Sequence, residues 1–188
     1  RADKLAQGLF DNCFDLLDGP DAPNVDWVEL NEEVVAVLTN VAPFNNVKEG
    51  YSEQDFLAPE YYRNNTDPKV RDSANYKFEG YVIYQLINPN VSAADYDDPT
   101  KARIVYQVDV KNGVNKLYNW IEVADPFDLS KRVYYPELQV DGADNGVRHT
   151  FSIKEDQFAS GNDKTLINHK KYYYSVVAYA FNSFANFD

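Results

Sequence analysis

Between residues 2 and 18, Leu5, Leu9, Phe10, Cys13, Phe14, Leu16 and Leu17 recur at spacings near three and four, the pattern of a short amphipathic helix. Gly8 weakens that helix and the run Asp18-Gly19-Pro20-Asp21-Ala22-Pro23 breaks it. Residues 1–23 therefore read either as a helix or as an extended linker docked on the domain that begins at residue 24. From Val25 the pattern turns to that of β-strands. Val25, Trp27 and Leu30 precede the dense β-branched stretch Val34-Val35-Ala36-Val37-Leu38-Thr39, which predicts two strands or one bent hairpin. Residues 41–76 are rich in Asn, Asp, Glu, Pro and Tyr and show little periodicity, so they read as a long decorated loop. A loop of that length in a compact domain is usually functional or partly disordered, which makes it the first suspect for a special surface.

Tyr76 to Leu86 is the clearest strand of the first half, closed by the turn residues Asn88-Pro89-Asn90. Arg103 to Val110 is another, ending at Lys111-Asn112-Gly113, and Asn-Gly is a strong turn signal. Leu117 to Val123, Val133 to Val140 and His149 to Ile153 each predict a short strand. Lys171 to Asn182 places β-formers on both faces of a last one. About seven short strands between turn signals, with no helical pattern among them, predict an all-β fold, an antiparallel β-sandwich over residues 24–188 with an insertion at about 41–76.

Composition changes this picture little. The chain has 188 residues, 44% of them hydrophobic and 15% aromatic, enough to bury a real core. A formal charge of -12 repels a phosphate backbone, so nucleic acid is not an expected partner. No stretch approaches the roughly 18 apolar residues that a membrane-spanning helix requires. A sequence with no Met that opens at Arg1 is expected to be a processed or excised piece. The single Cys13 excludes an internal disulfide framework and reads as a buried, inert thiol.

Leu166, followed six residues later by Tyr172 and then by the alternating Tyr174, Val176 and Ala178, resembles the tyrosine corner and following strand of a fibronectin type III domain. Phe78-Glu79-Gly80-Tyr81-Val82-Ile83-Tyr84 resembles the central strand of these domains, and Val34 to Thr39 the strand before it. Asn40 stands two residues after Leu38 where such domains commonly carry Trp, which marks a divergent, immunoglobulin-like member with a rearranged core. Longer phrases resemble segments of large exported proteins of Bacteroidetes-type bacteria associated with type IX secretion. They are Leu9 to Leu17, Gly19 to Pro23, Phe78 to Leu86, and Asp156 to Gly161 leading to Asn168-His169-Lys170. The resemblance implies an extracellular or cell-surface module of a longer polypeptide, and it implies no chemistry. It also implies a seventh strand after the corner strand, for which only Ser183 to Asp188 remain, so that strand is expected to be cut off or contributed by another segment.

Candidate chemistry is sparse. His149 and His169 are the available histidine bases, and neither lies in a nucleophile motif; thirty carboxylates single out no glycosidase pair. Two acidic turns offer calcium ligands, Asp95, Asp97 and Asp98 in one and Asp141, Asp144 and Asn145 in the other, without the spacing of an EF-hand. Otherwise no cofactor is expected. Tyr51, Tyr61 and Tyr62 in the long loop are the exposed aromatics that suit a sugar ring. Asp72-Ser73-Ala74 matches, by the same resemblance, a short O-glycosylation motif at Ser73, and Asn64-Asn65-Thr66 and Asn90-Val91-Ser92 match the N-glycosylation pattern.

The expected function is that of a non-catalytic structural or protein-interaction module, not an enzyme, on a secreted or surface-anchored multidomain bacterial protein. Its partners are expected to be other domains of the same polypeptide or another surface protein. The alternatives are a carbohydrate-binding accessory module that holds polysaccharide through loop tyrosines, and a hydrolase domain.

Overall fold

A computed structural model describes residues 17–184, apart from the side chain of Trp120. The helix or linker expected over residues 2–18 lies almost wholly outside the described residues, as does Cys13. In chain order the elements are β1 (Asn24–Leu30), β2 (Glu33–Thr39), β3 (Ser52–Gln54), α1 (Glu60–Arg63), α2 (Pro68–Asp72), β4 (Asn75–Leu86) and β5 (Ala102–Asp109), then β6 (Lys116–Ala124), β7 (Arg132–Asp141), β8 (Thr150–Ile153) and β9 (Tyr173–Phe181). The long strands lie where β-branched and aromatic residues alternate.

Two antiparallel sheets form the sandwich. In the first, β2 lies between β1 and β8, with Trp27 opposite Ala36 and Ala36 opposite Phe151. In the second, β4 pairs with β9 along one edge and with β3 and then β5 along the other. Ala36, Leu38, Phe151 and Ile153 of the first sheet meet Phe78, Tyr81, Ile83, Val108 and Val176 of the second in one buried cluster. That face-to-face burial is the core of an all-β sandwich.

Side chains on a regular strand alternate between faces, yet Phe78 and Tyr81, three residues apart, both enter the core. The register of β4 against β9 slips between Phe78 and Gly80, leaving Glu79 as the extra residue of a β-bulge. Glu79 and Gly80 consequently share the outer face. Gly80 is required there, since a Cβ would stand 2.1 Å from the carbonyl oxygen of Val108 and 2.6 Å from the Tyr179 hydroxyl.

Segment 41–76 is more ordered than its composition suggests. It supplies β3 and both short helices, and the Asp67 side chain caps α2 by accepting the Lys69 N–H, with Pro68 at the first helical position. Asp21 and Asn45 exchange two side-chain to backbone hydrogen bonds of 2.7 Å, and the Tyr51 hydroxyl donates to the carbonyl oxygen of Asp18 at 2.5 Å. These bonds fasten the entry segment to the loop. Helices of four and five residues have no room for a periodic pattern, which is why the sequence conceals them.

β6 and β7, expected as sandwich strands, form a separate two-stranded hairpin that pairs with neither sheet among the described residues. Leu117 at its root is buried, but Val133, Tyr134, Tyr135 and Leu138 are exposed, and so are Phe127 and Leu129 in the turn.

The segment between β8 and β9 is fixed by buried polar contacts. The Tyr172 hydroxyl accepts the backbone N–H of Ile167 at 2.8 Å, tying the loop after buried Leu166 to the start of β9. Asp156, 3% exposed, accepts from the Gln85 side chain at 2.7 Å, from Lys170 at 2.6 Å and from the Phe158 N–H at 2.9 Å. Burial pushes its carboxyl up, but these hydrogen bonds outweigh burial and hold it below the ordinary 3.8.

Asp156→Ala leaves the Gln85 amide without its partner in the interior and is expected to cost about 2 kcal/mol in urea unfolding. The contribution of the Asp156 charge is complete above the unfolded pKa and disappears as pH falls through the lower folded value. The unfolding midpoints of the native chain and Asp156→Asn should therefore converge below pH 3.8.

Candidate functional site

The inward-facing residues of β1 are those opposite Leu38 and Ala36, namely Val25 and Trp27, and Glu29 continues the same face. On β9 the inward positions are Tyr174, Val176 and Ala178. β1 and β9 are edge strands of their two sheets, so Trp27 and Tyr174 meet along the open side of the sandwich. Their rings stack with centroids 5.2 Å apart and planes inclined by 25°.

A cleft of about 760 Å³ opens there, within the size range of ligand sites. Leu30, Leu86 and Leu166 give it an apolar lining, and Tyr172, Tyr173 and Tyr174 form one wall. Glu29, Glu32 and Glu33 stand on one part of the rim and His169, Lys170 and Lys171 on another, so both signs of charge face the opening. The turn between β1 and β2 is pinned to the facing loop, because Asn168 accepts the Glu32 N–H and donates to the Asn31 side chain, both at 2.9 Å. Glu32 and His169 adopt φ of 55° and 66°, a left-handed conformation uncommon outside glycine. The two sides are thus held at a fixed separation.

Among the described residues the buried Tyr174 hydroxyl finds no hydrogen-bond partner. Burial above all, then the neighbouring Tyr172 and the charge of Asp156, raises its pKa far above the ordinary value, so it stays protonated. The cleft thus combines aromatic and apolar surface with charges of both signs at its mouth.

The residues singled out from sequence are dispersed. Tyr51 is 6% exposed and packs into the core, so it is not available to a sugar, contrary to expectation. Tyr61 is 68% exposed, whereas Tyr62 lies edge-on to it at 5.1 Å and against Phe184 at 5.5 Å. Ser73 is half-buried at the end of α2 and donates its hydroxyl to the Val70 carbonyl, so it is not freely presented for modification.

The acidic turns do not gather ligands either. Lys101, with Ser92, holds the Asp95 carboxyl down at about 2, Asp98 accepts twice from Thr100, and Asp97 joins neither set of bonds. Asp144 accepts the N–H groups of Asn112 and Gly113, while Asp141 and Asn145 are exposed. Among the described residues no group of three or more His, Cys, Asp or Glu side chains is arranged to hold a metal ion. His149 bonds Glu49 at 2.5 Å, and among the described residues no hydroxyl or thiol of Ser, Thr or Cys is hydrogen-bonded to either histidine.

No family model, curated protein or solved structure matches this chain. The reading of the cleft rests on its own geometry. Trp27 and Tyr174 were visible in the sequence only as strand residues; their partnership depends on two edge strands 147 positions apart coming face to face.

Tyr174→Phe removes a buried hydroxyl that has no partner among the described residues. It is expected to leave stability unchanged or raise it by about 1 kcal/mol in urea unfolding, while Trp27→Ala lowers it through the lost stacking.

Proposed function

We propose that this chain is a non-catalytic interaction module of an exported, multidomain bacterial surface protein, and that it docks an extended polypeptide segment along the side between β1 and β9. The observation that carries this reading is the cleft itself, flanked by two strands that each use only one edge among the described residues. An extended segment laid there would complete a backbone hydrogen-bond ladder, while its alternate side chains reached the Trp27–Tyr174 surface. Leu30, Leu86 and Leu166 suit apolar side chains, and the mixed rim suits a segment with both charges. The segment is expected to come from a neighbouring domain of the same polypeptide or from another surface protein.

The polysaccharide reading has less support. A sugar platform needs an open aromatic face, but Tyr51 is buried and Tyr62 is wedged between Tyr61 and Phe184. Trp27 has one face covered by Tyr174.

Hydrogen exchange compares the two states directly. The outward-edge amides of β9 are expected to exchange fast in this chain alone and slowly in the intact surface protein, with Trp27→Ala reducing that protection. Equal exchange in both would refute docking at this edge. Retardation of the chain in a polysaccharide gel, lost in Tyr61→Ala, would favour the carbohydrate reading instead.

A further inference from the structure

The β6–β7 hairpin has two unlike outer edges. Hydrogen bonds at its ends fix which backbone groups face inward. At the tip the Asp125 N–H donates to the Lys131 carbonyl at 3.0 Å, and at the root the Gly142 N–H donates to the Asn115 carbonyl at 2.6 Å. Antiparallel strands alternate hydrogen-bonded and non-hydrogen-bonded pairs, so the odd-numbered residues of β6 direct their backbone groups at β7. The even-numbered ones, Lys116, Trp120 and Glu122 among them, direct theirs to the outer edge. Trp120 is paired with Pro136, so Pro136 occupies an outward position of β7 at which the N–H is missing. Gln139, skipped between Leu138 opposite Tyr118 and Val140 opposite Leu117, is the extra residue of a bulge on the same strand. A proline and a bulge both close an edge to further pairing. β6 has neither, and among the described residues it pairs only with β7.

The root of the hairpin is tied to the second sheet. Buried Glu79 accepts from the Asn112 side chain at 2.8 Å, and buried Asp109 accepts the Asp144 N–H at 2.8 Å. Beyond the root, the residues from Arg132 to Gln139 are all exposed. A two-stranded ribbon is marginal in water by itself, and a third strand is the usual means of stabilising it.

β6 is complementary to itself. When it is laid antiparallel on β6 of a second copy, with Asn119 opposite Asn119, Lys116 stands opposite Glu122 at both ends and Leu117 opposite Ile121 between them. Lys116 and Glu122 are exposed, and both lie at outward-facing backbone positions, so charge pairing and hydrogen bonding agree in one register. Sliding the copy by two residues, the smallest shift that keeps the outward groups paired, sets Lys116 opposite Ala124 or Trp120 and leaves both charges unmatched.

We propose that two copies of this chain dimerise by antiparallel pairing of β6 with β6, giving a four-stranded sheet in the order β7–β6–β6–β7. Both outer strands are then β7, whose Pro136 and bulge stop a fifth strand, so the assembly is a closed two-fold dimer and not a filament. Antiparallel alignment turns each hairpin tip back toward the sandwich of the other copy, and exposed Phe127 and Leu129 are the apolar side chains it carries there. The edges of β1 and β9 take no part, so the dimer is independent of docking at the cleft.

The test is sedimentation equilibrium of the whole chain over a range of concentrations, where a species of twice 21.5 kDa is expected. Lys116→Glu and Glu122→Lys each set like charges opposite one another at both ends, and each should raise the dissociation constant about tenfold. The double variant carrying both substitutions restores opposite charges and should return the constant to its native value. Asn119→Cys, made together with Cys13→Ser, gives a second readout. The two-fold pairing puts the two residue-119 positions opposite each other in a non-hydrogen-bonded pair, with Cα atoms about 4.5 Å apart and within reach of a disulfide. Mild oxidation should therefore convert this variant to a covalent dimer, and should a charge variant fail to fold, that cross-link decides alone. A chain that stays monomeric, a dimer indifferent to both charge reversals, or an Asn119→Cys variant that does not cross-link would each overturn the proposal.

Discussion

β4 pairs on both edges and is buried on nearly all of its length, and these two demands govern the rest of the molecule. With both edges occupied, every residue of the strand must keep its register against two neighbours at once. With both faces covered, each outward side chain needs a partner as much as each inward one. The bulge at Glu79 reconciles Phe78 and Tyr81, which both belong in the core. Its consequence is a carboxylate on the outer face, where Asn112 and the chain from Asp109 to Asp144 close over it. At the other end, inward-facing Gln85 reaches Asp156, and through Asp156 and Lys170 the loop before β9 is fixed. Both polar knots therefore descend from one strand.

Among the described residues, two edges stay unpaired for the same reason. β9 gives one edge to β4, and β1 gives one to β2. Neither sheet curls far enough to pair with the other, and aromatic stacking between Trp27 and Tyr174 closes part of the gap without using backbone groups. Such a closure buries rings but satisfies no backbone ladder.

How much was legible depended on the range of the signal. Alternation is local, so β4, β5, β8 and β9 could be placed within about two residues from Tyr76 to Leu86, Arg103 to Val110, His149 to Ile153 and Lys171 to Asn182. The same alternation marked β6 and β7 but could not tell that they leave the sandwich, because pairing partners are not written in periodicity. Tyr51 illustrates the converse failure. Its place in the polar, aperiodic segment 41–76 suggested a surface loop, yet pairing of β3 with β4 draws the ring into the core. Glu79 gave no sign at all, since its burial depends on one slipped register and on a turn thirty-three residues away.

The β6–β7 hairpin has a mechanical consequence. Nine paired residues at about 3.3 Å each make an arm of about 30 Å. A tilt of about 10° at its root would sweep its end through about 5 Å, by the same arithmetic of strand length. Phe127 at that end is 98% exposed and Leu129 79%. A small change in packing at the root, where Asp109 crowds against Gly142, would therefore be read out as a large displacement of two apolar side chains.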